Sequence, residues 1–581
     1  MALNLPMHRL ALALLVSAMF LLPRSAAAAV EITLNGISGP IQTSVRNSLS
    51  LERDKESPFL DRYLVRRLYR KGIDEIRKAL RPFGYYQAKV EGDLTREDET
   101  WKVVYRIRPG PPVRVTKLEV AIVGQGGSDE ALRRWRSRFP LKVGDILNQQ
   151  TYEQAKDALQ RLAQRRGYFQ AQLQKHEIRL APARLTAEID LVFATGPRYR
   201  FGEVHFSKVA LAPIFLQRFV PFAPGEPYDL SALRKLQRSL VDTDYFSRTD
   251  VVPRPGRAKD LRVPVDVKLV MRKRTRYTAG LGYGTDTGPR LSLGVERRWV
   301  GRYGHRMGAD LLYSPLSTEL RAHYLIPLEN PDTDFLGFLA SVDQTETDTS
   351  KRRTTSVGVS VTRTLNKWVR TLSLDLERER FDVGTQSDLS RMLLPGIAWE
   401  RVEADDRLFP TRGWRLRLGV KGASTALASS ANLVQGNIRG KYVRSALGGR
   451  FLTRLDLGAS EVSDFEALPA SLRYFAGGDY SVRGYDFESL GPENAQGDVV
   501  GGRYLAVGSL EYDHFVAKHW GFAVFYDAGN AFNTVPFDLK RGAGVGLRVR
   551  LPFGLIRFDL AQALDEPGRP WRVHFTIGPD L

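Results

Sequence analysis

The stretch Tyr277-Thr278-Ala279-Gly280-Leu281-Gly282-Tyr283-Gly284 decides the fold. Side chains of an extended chain alternate between two faces with a period of two. Tyr277, Ala279, Leu281 and Tyr283 therefore share an apolar face, and Thr278, Gly280, Gly282 and Gly284 share a nearly bare one. The pattern returns downstream. Leu510 and Tyr512 alternate with Ser509, Glu511 and Asp513, and Trp571, Val573, Phe575 and Ile577 alternate with Arg572, His574 and Thr576. After Gly413, Trp414, Leu416 and Leu418 alternate with Arg415 and Arg417, and a break at Gly419 moves Val420 to the arginine face. Residues 275–581 hold about sixteen candidate strands of this kind, separated by turn residues. Apolar-out, polar-in segments flanked by aromatics are the pattern of a transmembrane β-barrel. A large soluble β-sandwich also has apolar inner faces. Against it stand the charges and glycines on the second face, and an export signal.

A closed barrel pairs every backbone group internally and can therefore cross lipid. Its weak point is the seam between first and last strands. Gly280, Gly282 and Gly284 pack no side chain, and glycine-rich strands specify register weakly. Two readings stay open: a seam that opens, or glycines that relieve crowding in the lumen.

Upstream of residue 275 the periodicity changes. Three units, 30–110, 111–196 and 197–274, each read as a strand, two helices and two strands. In the first, Val30–Asn35 is a strand and Asp61–Leu80 a helix, with Tyr63, Leu64, Leu68, Ile73, Ile76 and Leu80 as its apolar positions. Strands follow near Gln87–Leu94 and Trp101–Ile107. Each unit carries an aromatic doublet after its helix: Tyr85-Tyr86, Tyr168-Phe169 and Tyr245-Phe246. These read as core plugs between helix and sheet. The functional surface of such small domains is the sheet edge, which offers unpaired N–H and C=O groups to an extended partner chain.

Residues 1–29 read as a secretory signal. Arg9 precedes the apolar run Leu10–Leu22, and Ala26-Ala27-Ala28-Ala29 offers cleavage sites. A buried N-terminal helix is the alternative. No other apolar run is long enough for a membrane helix, and the mean hydropathy is −0.28. The 581-residue chain has no Cys, which excludes disulfides, a thiolate nucleophile and Cys-ligated metals. Its net charge is +21. Of this, +17 falls on residues 30–274, which hold 46 Lys+Arg and 29 Asp+Glu, and +2 on residues 275–581. Export sets nucleic acid aside as a partner. It leaves the basic arm suited to anionic lipid or an acidic protein.

Between candidate strands eleven and twelve lies a long segment, about 462–502. It contains Arg473-Tyr474-Phe475-Ala476-Gly477-Gly478-Asp479-Tyr480-Ser481-Val482-Arg483-Gly484-Tyr485. Loops of this length are functional or disordered, and this one joins glycines and aromatics to Arg483. Inside a barrel, Arg483 needs carboxylate partners. Glu511 and Asp527 fall on the inward parity of their strands. The bland reading is a surface arginine.

Val482-Arg483-Gly484-Tyr485 resembles the loop-six motif of the Omp85 outer-membrane assembly and secretion superfamily. Asp406 through Phe409-Pro410-Thr411-Arg412-Gly413-Trp414 resembles its D-x-x-x-P-T-[RK]-G signature. Phe525–Phe532, Gly542–Leu547 and Pro552–Asp559 resemble its closing strands. The resemblance covers nearly the whole chain after residue 29. It makes the three units POTRA domains 1 to 3 and the remainder an all-β outer-membrane barrel of about sixteen antiparallel strands, an α+β arm before a β-barrel. Three POTRA domains, FAGGDYSVRGY and the terminal Ile577-Gly578-Pro579-Asp580-Leu581 point to one branch. It is that of TamA, the outer-membrane subunit of the translocation and assembly module.

The resemblance implies that Arg483 pins loop six to the wall through Asp527 and Glu511, that Gly484 permits close approach, and that Tyr485 packs on the wall. It implies a lateral gate along Tyr277, Gly280, Gly282 and Gly284 on one edge and Val573, Phe575 and Ile577 on the other. Expected partners are unfolded autotransporter or other outer-membrane clients, outer-membrane lipid and an inner-membrane-anchored TamB-like subunit. No cofactor, metal or catalytic residue is expected, and no GxSxG, HExxH or P-loop pattern occurs. The alternatives are a general barrel-assembly or two-partner secretion pore of the same superfamily, a barrel enzyme, or a passive porin.

Overall fold

The computed structural model describes residues 29–578, except 58, 99, 407, 535–537 and 553. The expected signal segment lies outside these residues, save Ala29, which opens the first strand. The end of the IGPDL stretch, 579–581, lies outside them too. The chain divides into two compact units. One runs up to Glu203 and adds Phe222–Ser231 and Pro253–Pro264, and the other comprises Val204–Pro221, Ala232–Val252 and Val265–Leu581. The division passes through the third repeat.

The upstream strands are β1 (Ala29–Asn35), β2 (Lys89–Glu97), β3 (Thr100–Arg108), β4 (Arg114–Val123), β5 (Gln172–Ala181), β6 (Thr186–Ala194), β7 (Arg200–Phe206), β8 (Phe246–Pro253) and β9 (Arg262–Met271). They make three sheets of identical order: β1-β3-β2, β4-β6-β5 and β7-β9-β8. In the first two, the outer strand that opens the repeat runs parallel to the central one, and the other runs antiparallel. Helices cover one face.

In the first repeat Asp61 caps the Arg62–Leu80 helix by accepting from the Leu64 N–H. That helix buries Val65, Leu68, Ile76 and Leu80 against Val103, Tyr105 and Ile107. Tyr63, expected among the apolar positions, is instead 66% exposed. It stacks under Arg62 at the surface, and Val65 takes the core position. Two helices, Gly39–Ser48 and Ser50–Asp54, precede this one. The doublet residues Tyr168, Tyr245 and Phe246 are buried, and Tyr85, Tyr86 and Phe169 are half-buried.

The second repeat turns on a buried carboxylate. Asp129 caps the Glu130–Ser137 helix through the Ala131 N–H. It also accepts from Arg166 Nη2 at 3.0 Å and Tyr168 OH at 3.2 Å, with Arg198 at 3.5 Å. Burial pushes the Asp129 carboxyl up, but the Arg166 bond and charge, the Ala131 N–H and the Arg198 charge outweigh it and hold it below 3.8. A depressed folded value means the stabilisation is present above the unfolded carboxyl value and fades as pH falls through it.

Downstream, sixteen strands form one sheet in sequence order, from β10 (Thr275–Gly284) to β25 (Trp571–Gly578). Every neighbouring pair is antiparallel, as in the ladders that join β10 to β11 (Gly288–Val300) and β24 (Gly554–Ala563) to β25. Outward positions are apolar and exposed, including Leu281 at 89%. Within β18 (Arg412–Ala423) the register runs unbroken past Gly419. Val420 therefore keeps the outward parity of Leu418, against the expected switch. The glycine answers a steric demand, since a Cβ there would lie 2.8 Å from Asn437 Oδ1 on the facing strand.

Replacing Asp129 by Ala should destabilise the second repeat by about 2–4 kcal/mol, the cost of a lost cap and of a lost buried ion pair to Arg166, which keeps Asp229 as a partner. Hydrogen exchange on the full chain should locate the loss there. In the unmodified chain the same region should loosen only below about pH 4.

Candidate functional site

The lumen is organised by loop six, which joins β20 (Gly449–Val462) to β21 (Tyr504–Phe515). The loop is tied to itself by isolated bridges, Tyr474 to Gly502 and Ala476 to Leu490. A tight turn forms where Ser481 N–H donates to the Gly478 carbonyl. This presents Val482-Arg483-Gly484-Tyr485 to the wall.

Arg483 is 5% exposed. Its Nε donates to Asp527 Oδ2 at 2.8 Å, its Nη2 to Asp527 Oδ1 at 3.0 Å, and its Nη1 to Glu511 Oε2 at 2.7 Å and Asp559 Oδ2 at 3.0 Å. Its own backbone N–H donates to Asp527 Oδ2 at 3.1 Å. The guanidinium stacks over Phe525, 3.4 Å from the ring centroid. Strand parity builds this site. Ser509, Glu511 and Asp513 point inward from β21, and Asp527 pairs across to Ser509 from β22 (Trp520–Phe532). Asp559 points in from β24.

The network extends beyond the residues that the sequence singled out. From β23 (Lys540–Leu551), Arg548 donates to Glu511 Oε1 at 2.7 Å, Asp513 Oδ1 at 3.2 Å and Asp559 Oδ1 at 2.5 Å. Arg450 binds Asp513 Oδ2 at 2.6 Å. Three guanidiniums and four carboxylates thus form one continuous chain of charge-assisted bonds. Parity marks Asp513 and Asp559 as inward acids, but parity alone does not say which strands lie beneath the loop. Arg473 is a second buried arginine of the loop. It donates to the carbonyls of Leu468, Val500 and Glu466 and to Gln386 Oε1.

Gly484 has φ +99°, and a Cβ there would lie 2.9 Å from Ala563 N and Gln562 C on β24. Gly542 gives the matching space on β23, where a Cβ would overlap Arg483 O. Val482 and Tyr485 are buried with Leu505, Val507, Ala531 and Ala563. The Tyr485 hydroxyl donates to Arg541 O at 3.2 Å. Further round the wall, Arg352 pairs with Glu488 at 3.3 Å.

At the seam, no ladder joins β10 to β25 among the described residues. Contacts across the seam lie at the C-terminal end of β10. Phe575 N–H donates to Thr285 Oγ1 at 2.7 Å, and the Tyr283 and Phe575 rings lie 5.8 Å apart. Tyr277, Val573 and Ile577 are exposed on the outer face. Gly280 and Gly284 face Ser292 and Arg290 on β11, where a Cβ would come within 2.5 Å of Ser292 Oγ and Arg290 Nη2, whereas Gly282 has room.

Residues 276–580 match the Omp85 superfamily domain, over half of the chain. The chain belongs to the Omp85 superfamily. Residues 31–109 match the POTRA domain described as TamA domain 1, and residues 118–194 the POTRA family described as a surface antigen variable number repeat. As an Omp85 member with POTRA domains, it sits in the outer membrane with those domains in the periplasm. The outer membrane protein assembly factor BamA of Nitratidesulfovibrio vulgaris is 21% identical over 377 residues, 61% of this chain. The chain spans about half the length of that relative, 47%. Among solved structures, BamA from Haemophilus ducreyi lacking POTRA domains 1–3 has a TM-score of 0.66 at 17% identity, covering 80% of this chain and 99% of that one. CdiB from Acinetobacter baumannii gives 0.47 at 14% identity, covering 81% and 90%.

Arg483→Ala removes the common partner of Asp527, Glu511 and Asp559. It should cost about 3–5 kcal/mol, the scale for breaking a buried ion pair, and open loop six to protease between residues 473 and 502. Arg483→Lys should rescue little, because an ammonium cannot reproduce the planar fork. Gly484→Ala should lift the motif off the wall with the ion pairs chemically intact, and the same cleavage should report it.

Proposed function

We propose that this chain assembles or secretes outer-membrane β-clients by offering them the edge between β10 and β25. The observation that carries this reading is a sixteen-strand sheet whose first and last strands, among the described residues, touch without a ladder. An unpaired edge in hydrocarbon is costly, because each unsatisfied backbone group costs several kcal/mol there. A client strand that pairs with the edge satisfies both itself and the wall, which is β-augmentation inside a membrane. The client leaves sideways when its own strands close.

Two features support the direction of this exchange. The seam strands are short, with 10 residues in β10 and 8 in β25, while the strands opposite, Ser350–Leu365, Trp368–Val383 and Gln386–Ala404, have 16, 16 and 19. A short hydrophobic wall thins the adjoining bilayer and lowers the cost of insertion there. The basic periplasmic arm, with its open sheet edges, receives extended chains or an acidic partner. The gate residues are then Tyr277, Gly280, Gly282 and Gly284 facing Val573, Phe575 and Ile577. Val482, Arg483, Gly484 and Tyr485 with Glu511 and Asp527 hold the wall in shape beside them. This mechanism needs no catalytic residue, cofactor or metal.

Within the superfamily we place the chain on the TamA branch, with autotransporter clients and a TamB-like inner-membrane partner. The match of residues 31–109 to the TamA first POTRA domain supports this. A general barrel-assembly role is the rival reading, favoured by the BamA relative.

The Cys-free chain allows a clean test. Tyr283→Cys with Phe575→Cys, joined by a disulfide or a short thiol linker, should abolish client insertion into vesicles, and reduction of the disulfide should restore it. Full activity in the locked protein would defeat the gate. Autotransporter and porin clients compared side by side decide the branch, since a general assembler inserts both. Crosslinking from the first repeat should capture an inner-membrane-anchored protein if the TamB-like partner exists.

A further inference from the structure

No ladder closes the seam among the described residues, yet a second set of contacts crosses it, routed through loop six. Asp479 lies in the loop four residues before Arg483. Its backbone N–H donates to Asp286 Oδ2 at 2.6 Å, and Asp286 sits in the turn between β10 and β11. Its side-chain Oδ1 lies 2.6 Å from His574 Nδ1 on β25. The other ring nitrogen, His574 Nε2, accepts from Gly484 N–H at 2.9 Å. Both side chains are deeply buried, Asp479 at 3% and His574 at 1% side-chain exposure. None of these three residues belongs to the Arg483 network.

The partners fix the tautomer. A backbone N–H can only donate, so Nε2 carries a lone pair and the proton sits on Nδ1, donated to Asp479. His574 is therefore a neutral bridge between a carboxylate and the motif glycine. The path runs from the first hairpin through Asp286 and Asp479 to His574 on the last strand. Pulling β10 from β25 must break a link of this path, as well as the Thr285–Phe575 bond.

We propose that Asp286, Asp479 and His574 form a clasp through which loop six holds the first hairpin and the last strand together, so that the seam parts only when the loop lets go of one side. Loop six then has two jobs with separate residues. Arg483 anchors it to the permanent wall, β21 to β24, and Asp479 fastens the removable edge. The consequence for clients rests on the gate reading above; the clasp itself is a property of this chain alone.

The test uses the full chain in lipid vesicles with spin labels on Leu293→Cys and Leu560→Cys, outward-facing and one strand back from each edge. The unmodified seam should give one narrow distance. Asp479→Asn, His574→Gln and Asp286→Ala should each add a longer, broader component. The open-to-closed ratio should rise roughly tenfold or more, as expected for one lost charge-assisted bond. Asp286→Ala lies in a turn, so it keeps the test alive if a lumen variant fails to fold. The double variant Asp479→Asn with His574→Gln should open no further than the more open single one, because both cut one path. Unchanged distances in the single variants would overturn the clasp, and so would independent, additive gains in the double. Client insertion measured in the same vesicles keeps the two ideas apart. An unmodified protein that inserts no client defeats the gate reading, while the distances still judge the clasp.

Discussion

Hydrocarbon offers a backbone no water to bond with. That constraint explains most of what lies downstream of residue 275. It favours antiparallel strands paired in one sheet, makes their outer face apolar, and sends buried charge to the lumen side. It also makes the seam the exception that matters. Among the described residues every strand of the sheet has two ladder partners except β10 and β25, which have one each. A wall that is complete everywhere else concentrates its unmet bonding capacity along a single line.

The lumen charges follow from the same constraint. Ionised groups taken from water repay the cost only when geometry satisfies them fully. Arg483 does so with five hydrogen bonds to three carboxylates, one of them from its own backbone. Arg548 shares two of those carboxylates from the wall side. The loop is held by direction as much as by energy, because a guanidinium fork donates to its partners in its own plane.

Much of this is legible in the sequence because strands have a period of two. Once Leu510 and Tyr512 are read as outward, Glu511 and Asp513 must point in, and the same count places Asp527. What the count cannot supply is adjacency. Asp559 and Arg548 have the right parity, but their place beside Arg483 depends on how the sheet curls. Asp479 and His574 meet across 95 residues of sequence for the same reason. Local misreadings have local causes. Gly419 looks like a break but makes room for Asn437. Tyr63 fits a helical apolar stripe, yet the face that meets the core runs through Val65 and Leu68, and Tyr63 lies off it beside Arg62.

The buried ion network also makes loop six and the C-terminal wall a single unit. Glu511, Asp513, Asp527 and Asp559 belong to three different strands and repel one another as those strands draw together. Arg548 and Arg450 neutralise part of that charge from the wall, and the ion pair of Asp527 comes from Arg483 in the loop. Without the loop the wall lacks the Arg483 pairs to Glu511, Asp527 and Asp559, so loop and wall complete one charge network. The loop is thus less a flap laid on a finished barrel than a keystone, since its one guanidinium bonds carboxylates from three strands of the wall.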